Sequence, residues 1–350
     1  MKYRKANENK TGRAAKLKGE VKKLAVSRDK FGRKIEYLRI SITDRCNLRC
    51  RYCMPPEGVE YKPHESILRY EEIIRIVRVG IELGIKRVRI TGGEPLVRQG
   101  IVGFIKELAG LEGLEDISMT TNATLLAGKA AGLKRAGLRR VNISLDSLRR
   151  DRYREITGRD SLDQALAGIK SALRVGLSPV KLNVVVMRGI NDDEIPDLVD
   201  LTLDYPLHVR FIEYMPLGRT VQSQLNSYIS LEEIKRRIGG RMELIPSKVK
   251  GSGPAEYFKV PAARGTIGFI TPVSHSFCTR CNRLRLTADG RLRPCLADNI
   301  EVDLHDGEGR VEDSEDIRRK FKEAILLKPG SHNFFQEDIF SERNMFQIGG

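Results

Sequence analysis

No apolar run in this chain approaches the roughly 20 residues that a membrane-spanning helix needs, so a helical membrane protein is excluded as a class. No secretory leader is recognisable either, because residues 1–30 are basic and lack an apolar stretch. A soluble, cytoplasmic protein is therefore expected, with no membrane partner. No internal repeat is evident, which argues against a solenoid. Cysteine is scarce, six in 350 residues, and its distribution excludes a disulfide scaffold. Cys46, Cys50 and Cys53 form one group; Cys278, Cys281 and Cys295 form another. Three is odd, so neither group can be closed by bridges within itself. In a cytosolic protein such tight spacing reads as metal binding first.

What is present is ample charge and enough apolar mass for a core. Hydrophobic residues make up 40% of the chain, and the length suggests two domains at roughly 150 residues each. Net charge is +16. Half of it falls in residues 1–30, where eleven Lys or Arg stand against three acids. The plain reading of 1–30 is a solvated, flexible arm; the sharper one is an arm that touches a polyanion. The remaining basic excess suits a polyphosphate substrate without proving one.

Between residues 36 and 214, β-branched runs alternate with amphipathic patterns. Strands are expected over 36–42, 87–91, 116–121, 141–145, 180–186 and 208–214. Helices are expected over 70–83, 125–136, 162–175 and 194–203, the first with Gly84 at its C-terminal end. Six strand–helix units favour a parallel sheet, doubly wound or curled into a barrel, with the ligand at the strands' C-terminal ends. The polar motifs obey that rule: Cys46 follows the first strand, Gly92-Gly93-Glu94 the second, Thr120-Thr121-Asn122 the third, and Ser144 and Asp146 the fourth. After residue 215 the pattern changes to a helix over 230–238 and short strands near 256–260, 266–270, 284–287 and 291–293. Asp289-Gly290 marks a hairpin turn. The division is thus an arm over 1–30, a barrel-like unit over 31–215 and a smaller α+β elaboration over 216–350.

Three thiolates spaced x3 then x2 on one short loop can wrap a compact polynuclear centre. A [4Fe–4S] cluster normally takes four thiolates, so one iron would keep an open position, as catalytic metal sites do. A zinc site completed by His64 is the alternative. At Cys278-x2-Cys281-x13-Cys295 the spacing alone leaves structural zinc, with His275 as fourth ligand, and an iron–sulfur cluster equally open. Arg283 and Arg285, alternating on one strand, tip the balance, because guanidinium forks beside a metal suit phosphate oxygens.

The first triad, with Tyr52 just before its last cysteine, resembles the radical S-adenosylmethionine superfamily. The motifs LRISITDRCNLRCRYCMPPEG, RITGGEPLVR, MTTNA, NISLDS, RFIEYMP and CTRCNRLRLTADGRLRPCL, with a terminal Gly349-Gly350, resemble the GTP 3′,8-cyclase (MoaA) family of molybdenum cofactor biosynthesis. That resemblance covers nearly all of the chain except the basic arm. It implies a partial TIM-type (β/α)6 barrel, two [4Fe–4S] clusters on the six cysteines, and S-adenosyl-L-methionine near Tyr52, Gly93, Glu94, Ser144 and Met215. It implies GTP on Arg39, Arg89, Thr120, Lys181, Arg210, Arg283 and Arg285. It gives catalytic roles to Cys46, Cys50, Cys53, Arg283 and Arg285, and to a Gly349-Gly350 tail that enters the site. The implied reaction joins C3′ of GTP to C8 through a 5′-deoxyadenosyl radical. The implied partners are an electron donor of flavodoxin or ferredoxin type and a downstream cyclic pyranopterin monophosphate synthase; a homodimer is compatible with it. Ala123 departs from the family's usual Gly, and its methyl group predicts a slightly different turn. The rival readings are a peptide-modifying radical enzyme, which would usually carry more cysteines, and a zinc-stapled nucleic-acid binder.

Overall fold

Residues 37–41 alternate polar and apolar side chains. In the computed structural model, which describes residues 27–54, 59–215, 226–239, 243–251, 253–332 and 343–349, they form strand β1 (Tyr37–Ser41). Five further strands follow: β2 (Arg87–Thr91), β3 (Asp116–Thr121), β4 (Arg140–Ser144), β5 (Val180–Val186) and β6 (Leu207–Glu213). All six run parallel in sequence order, each within a residue of its expected range. The period of two sorts their side chains. Leu38, Ile40, Val88, Ile90, Ile117, Met119, Val141 and Ile143 enter the apolar core. Arg39, Arg89, Thr120 and Ser144 line the cavity on the other face.

The crossovers supply helices α1 (Tyr70–Glu82), α2 (Ile101–Ala109), α3 (Ala130–Arg135), α4 (Arg150–Thr157), α5 (Leu162–Arg174) and α6 (Ile195–Asp204). In α1, Ile73, Ile74, Ile76 and Val77 are buried on one stripe. Gly84, at φ +100°, takes the left-handed conformation that ends the helix. Two of these crossover helices were not expected, α2 and α4. The expected helix over 125–136 is confined to 130–135, because a turn occupies the residues before it. Ala123 stands in that turn. It takes φ +64°, a left-handed conformation costing roughly 1–2 kcal/mol for a residue with a Cβ. The backbone there is held by Gly168 of α5, where a Cβ would lie 2.2 Å from the Ala123 carbonyl oxygen.

The segment after 215 contributes α7 (Leu231–Gly239), β7 (Ile245–Ser247), β8 (Glu256–Lys259), β9 (Thr266–Ile270), β10 (Arg283–Leu286), β11 (Arg291–Arg293), β12 (Val302–Asp303) and α8 (Ser314–Leu326). Its strands extend the barrel's own sheet at both ends. β9 pairs parallel with β6, and β10 pairs parallel with β1. The sheet order is β12-β11-β10-β1-β2-β3-β4-β5-β6-β9-β8-β7, an α/β fold on an open, partly closed parallel run. Ile267, Phe269, Leu284, Leu286, Ile317 and Phe321 join the same core as the first six strands. Of the basic arm, residues 1–26 lie outside the described residues. Residues 27–30 pack into the fold through buried Asp29, whose carboxylate pairs with Arg33 at 2.6 Å.

Candidate active site

One cavity is lined by all six cysteines. The first triad sits on the loop after β1, and neighbouring strand ends hold it. The Gly93 amide donates to the Thr43 carbonyl at 2.8 Å, and the Glu94 amide to the Arg45 carbonyl at 2.8 Å. A Cβ on Gly93 would lie 2.4 Å from the Arg45 carbonyl oxygen. The glycine is thus required by its approach to the cysteine loop itself. Glu94 is buried and pins β2 to β3. Its carboxylate accepts from the Leu96 amide, the Thr121 hydroxyl (2.7 Å) and the Asn122 amide (2.7 Å). Burial pushes its pKa up to about 7 against those bonds. The Tyr52 hydroxyl donates to Asp146 at 2.7 Å, and the Val185 amide meets the same carboxylate at 2.8 Å. Burial raises the thiols of Cys46 to about 11, of Cys50 well above the ordinary range, and of Cys53 to about 12. Bare thiolates are disfavoured here, so the triad suits a centre that brings its own positive charge.

The second triad lies at the opposite wall. Cys278 and Cys281 bracket a short 3-10 turn before β10, and the Asp289-Gly290 turn brings Cys295 back behind β11. Here the surroundings favour thiolates. Burial pushes the Cys281 thiol up, but Arg283 and Lys328 bring it down to about 6. Cys278 and Cys295 are likewise lowered, despite burial, by His332. His275 is exposed and bonded to Ser274 at 2.9 Å. It does not line the cavity, and neither does His64; His332 does. Both zinc alternatives need three or four ligands meeting at one ion. Among the described residues no three His, Cys, Asp or Glu side chains converge on one point.

The same cavity carries a belt of cations, of which Arg89, Arg210 and Arg285 are buried and Arg39 and Arg283 half-buried. Arg39 stands in register with Arg285 on one side and Arg89 on the other. Arg210 and Arg283 line the same cavity, as does Thr120. Burial, then the like charges of Arg285 and Arg89, push the Arg39 pKa well down; burial and Arg283 bring Arg285 to about 9. A guanidinium does not release its proton in a protein, so these shifts reflect like charges gathered in a buried place. Lys181 is not among the cavity-lining residues. It lies near the start of β5, where its ammonium donates to the Lys250 carbonyl at 2.8 Å. Burial and the charges of Arg210 and Arg140 bring it to about 6. The chain's tail also enters the belt. The Gly349 carbonyl accepts from Arg39 and Arg285, both at 2.9 Å. Gly350 lies outside the described residues.

Residues 40–202 match the family model described as the Radical SAM superfamily, and residues 207–334 match Molybdenum Cofactor Synthesis C. A GTP 3′,8-cyclase of Petrotoga mobilis is 62% identical over 322 residues, spanning 92% of this chain and 99% of that protein. One from Moorella thermoacetica is 52% identical over 323 residues, with 92% and 99% spanned. The chain belongs to the GTP 3′,8-cyclase family. Its radical SAM membership brings one [4Fe–4S] cluster and S-adenosylmethionine, and the first triad fits that cluster. SuiB of Streptococcus suis bound to S-adenosylmethionine shares the fold of this GTP 3′,8-cyclase family member, with a TM-score of 0.57 and 18% identity over 85% of this chain and 67% of that one.

Of the residues expected around S-adenosylmethionine, Tyr52, Gly93, Glu94, Ser144 and Met215 all line the cavity. Met215 packs on the second-triad side, against Val273, Cys295 and Leu296. Sequence reasoning missed Lys328 and His332, which line the cavity beside the second triad. A lone histidine far downstream of Cys295 carries no motif. It also did not assign a site role to Asp146, although its position at the end of β4 was the available signal.

Proposed function

We propose that this chain cyclises GTP to (8S)-3′,8-cyclo-7,8-dihydroguanosine 5′-triphosphate, the first step of molybdenum cofactor biosynthesis, and that Cys278, Cys281 and Cys295 hold a second [4Fe–4S] cluster. The observation that carries the reading is the cation belt and the two cysteine triads in one cavity. Arg39, Arg89, Arg210, Arg283 and Arg285 would neutralise the triphosphate, with Thr120 beside them; Lys181, expected among these contacts, lies behind the lining. When bound, the first cluster and S-adenosylmethionine supply the hydrogen abstraction at C3′ of GTP that precedes its bond to C8. The protein's own work is to hold the nucleotide in reach, which is worth on the order of 7–11 kcal/mol in favourable cases. Tyr52, Gly93, Glu94, Ser144 and Met215 would shape the S-adenosylmethionine pocket, and the tail through Gly349 and Gly350 would close on the nucleotide. Family resemblance supports an electron donor of flavodoxin or ferredoxin type, a downstream cyclic pyranopterin monophosphate synthase and a homodimer. We place the protein in the cytoplasm; no helix of the described residues is long and apolar enough to cross a membrane.

The test is anaerobic turnover of the iron-loaded full chain with GTP, S-adenosylmethionine and a reductant, followed by chromatography and mass spectrometry. A new isomer of GTP should form together with 5′-deoxyadenosine. Cys50→Ser should abolish both products. Arg285→Ala should keep its iron and lose GTP turnover. Formation of 5′-deoxyadenosine with no change in GTP would overturn the assignment.

A further inference from the structure

The second triad depends on a segment outside both cysteine motifs. Residues 328–332, just beyond α8, lie across the backbone that carries all three sulfurs. Lys328 is buried, and its ammonium donates to the carbonyls of Arg283 (2.8 Å) and Pro294 (2.7 Å). It thereby ties together the two arms of the β10–β11 hairpin, beside Cys281 and Cys295. Arg33 braces the other side. Its guanidinium donates to the Cys278 carbonyl and to the Pro329 carbonyl, both at 2.6 Å, with Asp29 balancing its charge. His332 completes the strap. One ring nitrogen, Nε2, is 3.1 Å from the Pro272 carbonyl oxygen, and the other, Nδ1, is 2.9 Å from Cys278 Sγ. A carbonyl only accepts, so Nε2 carries a hydrogen there. The ring is fixed at both edges, with its remaining nitrogen aimed at a cysteine sulfur inside the cavity; toward a thiolate held by iron, which has no proton to give, Nδ1 donates, so the ring there carries a hydrogen on each nitrogen.

We propose that His332 is a positioning residue of the second iron–sulfur centre, orienting the Cys278 sulfur and hydrogen-bonding to it. The inference rests on the two-cluster reading above. It assigns to this chain what the cysteine spacing alone does not supply: a fixed direction for the sulfur on the 3-10 turn. Hydrogen bonds to cluster sulfurs raise reduction potential, and outer partners of metal ligands typically account for 10–100-fold in metal affinity. A purely structural strap would affect folding but leave the potential of a loaded cluster unchanged.

The experiment compares full-length wild type, His332→Leu and His332→Gln after anaerobic reconstitution. It reads iron and sulfide per chain, iron loss to a chelator, and the midpoint potentials of the two clusters by electron paramagnetic resonance. Wild type should hold two clusters. In His332→Leu the first cluster's signal should be unchanged, while the second should bind iron roughly 10–100-fold more weakly and titrate at a more negative potential. His332→Gln keeps an N–H donor and should recover part of both losses. A single cluster in wild type would overturn the two-cluster reading itself. Two clusters in wild type, with unchanged potential and iron retention in His332→Leu, would overturn only the role of His332. If His332→Leu loses both clusters through misfolding, His332→Gln decides: a shifted second potential supports the role, and an unshifted one removes it.

Discussion

Glu94 is a buried carboxyl that accepts from the neutral donors of Leu96, Thr121 and Asn122, and that has a measurable sign. The folded chain holds its proton up to about pH 7, whereas the unfolded chain releases it near 4.5. Stability therefore falls as pH rises through that window, by about 3 kcal/mol in all. Asp146, pushed up by burial to about 6, acts the same way in the lower part of the window. In the metal-free, reduced protein, urea denaturation at pH 5 and pH 7.5 should show most of this gap, and Glu94→Gln should narrow it by about 2 kcal/mol. An equal gap in both proteins would show that Glu94 stays charged throughout. Gly93 makes a different prediction. A methyl group there meets the Arg45 carbonyl at 2.4 Å, so Gly93→Ala must displace the loop that carries Cys46. A cost of about 1–3 kcal/mol and loss of iron from the first triad are expected; iron analysis showing a full complement would contradict this. Both residues were legible as motif members in the sequence, but their physical roles were not. The resemblance put Gly93 near S-adenosylmethionine, and the structure shows its close approach to the chain's own backbone.

Among the elements, local pattern was readable and long-range pairing was not. The Asp289-Gly290 turn announced β10 and β11, and alternation announced β9. Nothing local indicated that β9 would pair with β6 and β10 with β1, because parallel partners far apart in sequence leave no turn between them. Helices α2 and α8 carried clear apolar stripes, Ile101, Phe104, Ile105 and Leu108 in one, Ile317, Phe321, Ala324 and Ile325 in the other, and were passed over beside the stronger cysteine signals. The tail was legible only through resemblance. Its seat has a physical cause: Phe346 and Ile348 are buried, and Arg343 forks onto the Asp289 carboxylate at 2.9 and 3.0 Å. Gly349 sits at φ +70°, where a Cβ would lie 2.2 Å from the Thr91 hydroxyl. Gly349→Ala should therefore unseat the tail without removing iron. Faster hydrogen exchange over 344–349 would report it, and unchanged exchange with full cyclisation would count against the tail's role.

For the molecule as a whole, the cation belt gathers like charge along one cavity. Like charges held in a buried cavity destabilise the ligand-free state, so GTP, or inorganic tripolyphosphate alone, should raise the melting temperature of the metal-free protein. At a hundred times the dissociation constant the gain is about 2.7 kcal/mol. Arg89→Met should weaken that response, and a melting temperature indifferent to tripolyphosphate would remove the belt as a phosphate site. The basic balance of the composition hinted at such a substrate, but only the register of β10, β1 and β2 shows the guanidinium groups side by side.

The same register has a consequence for how the chamber is walled. Both strands that flank the six-strand run, the second triad, and the residue that reaches Arg39 and Arg285 lie after residue 215. A chain cut at 215 would keep the first triad and lose both bordering strands, leaving the sheet edges at β1 and β6 bare.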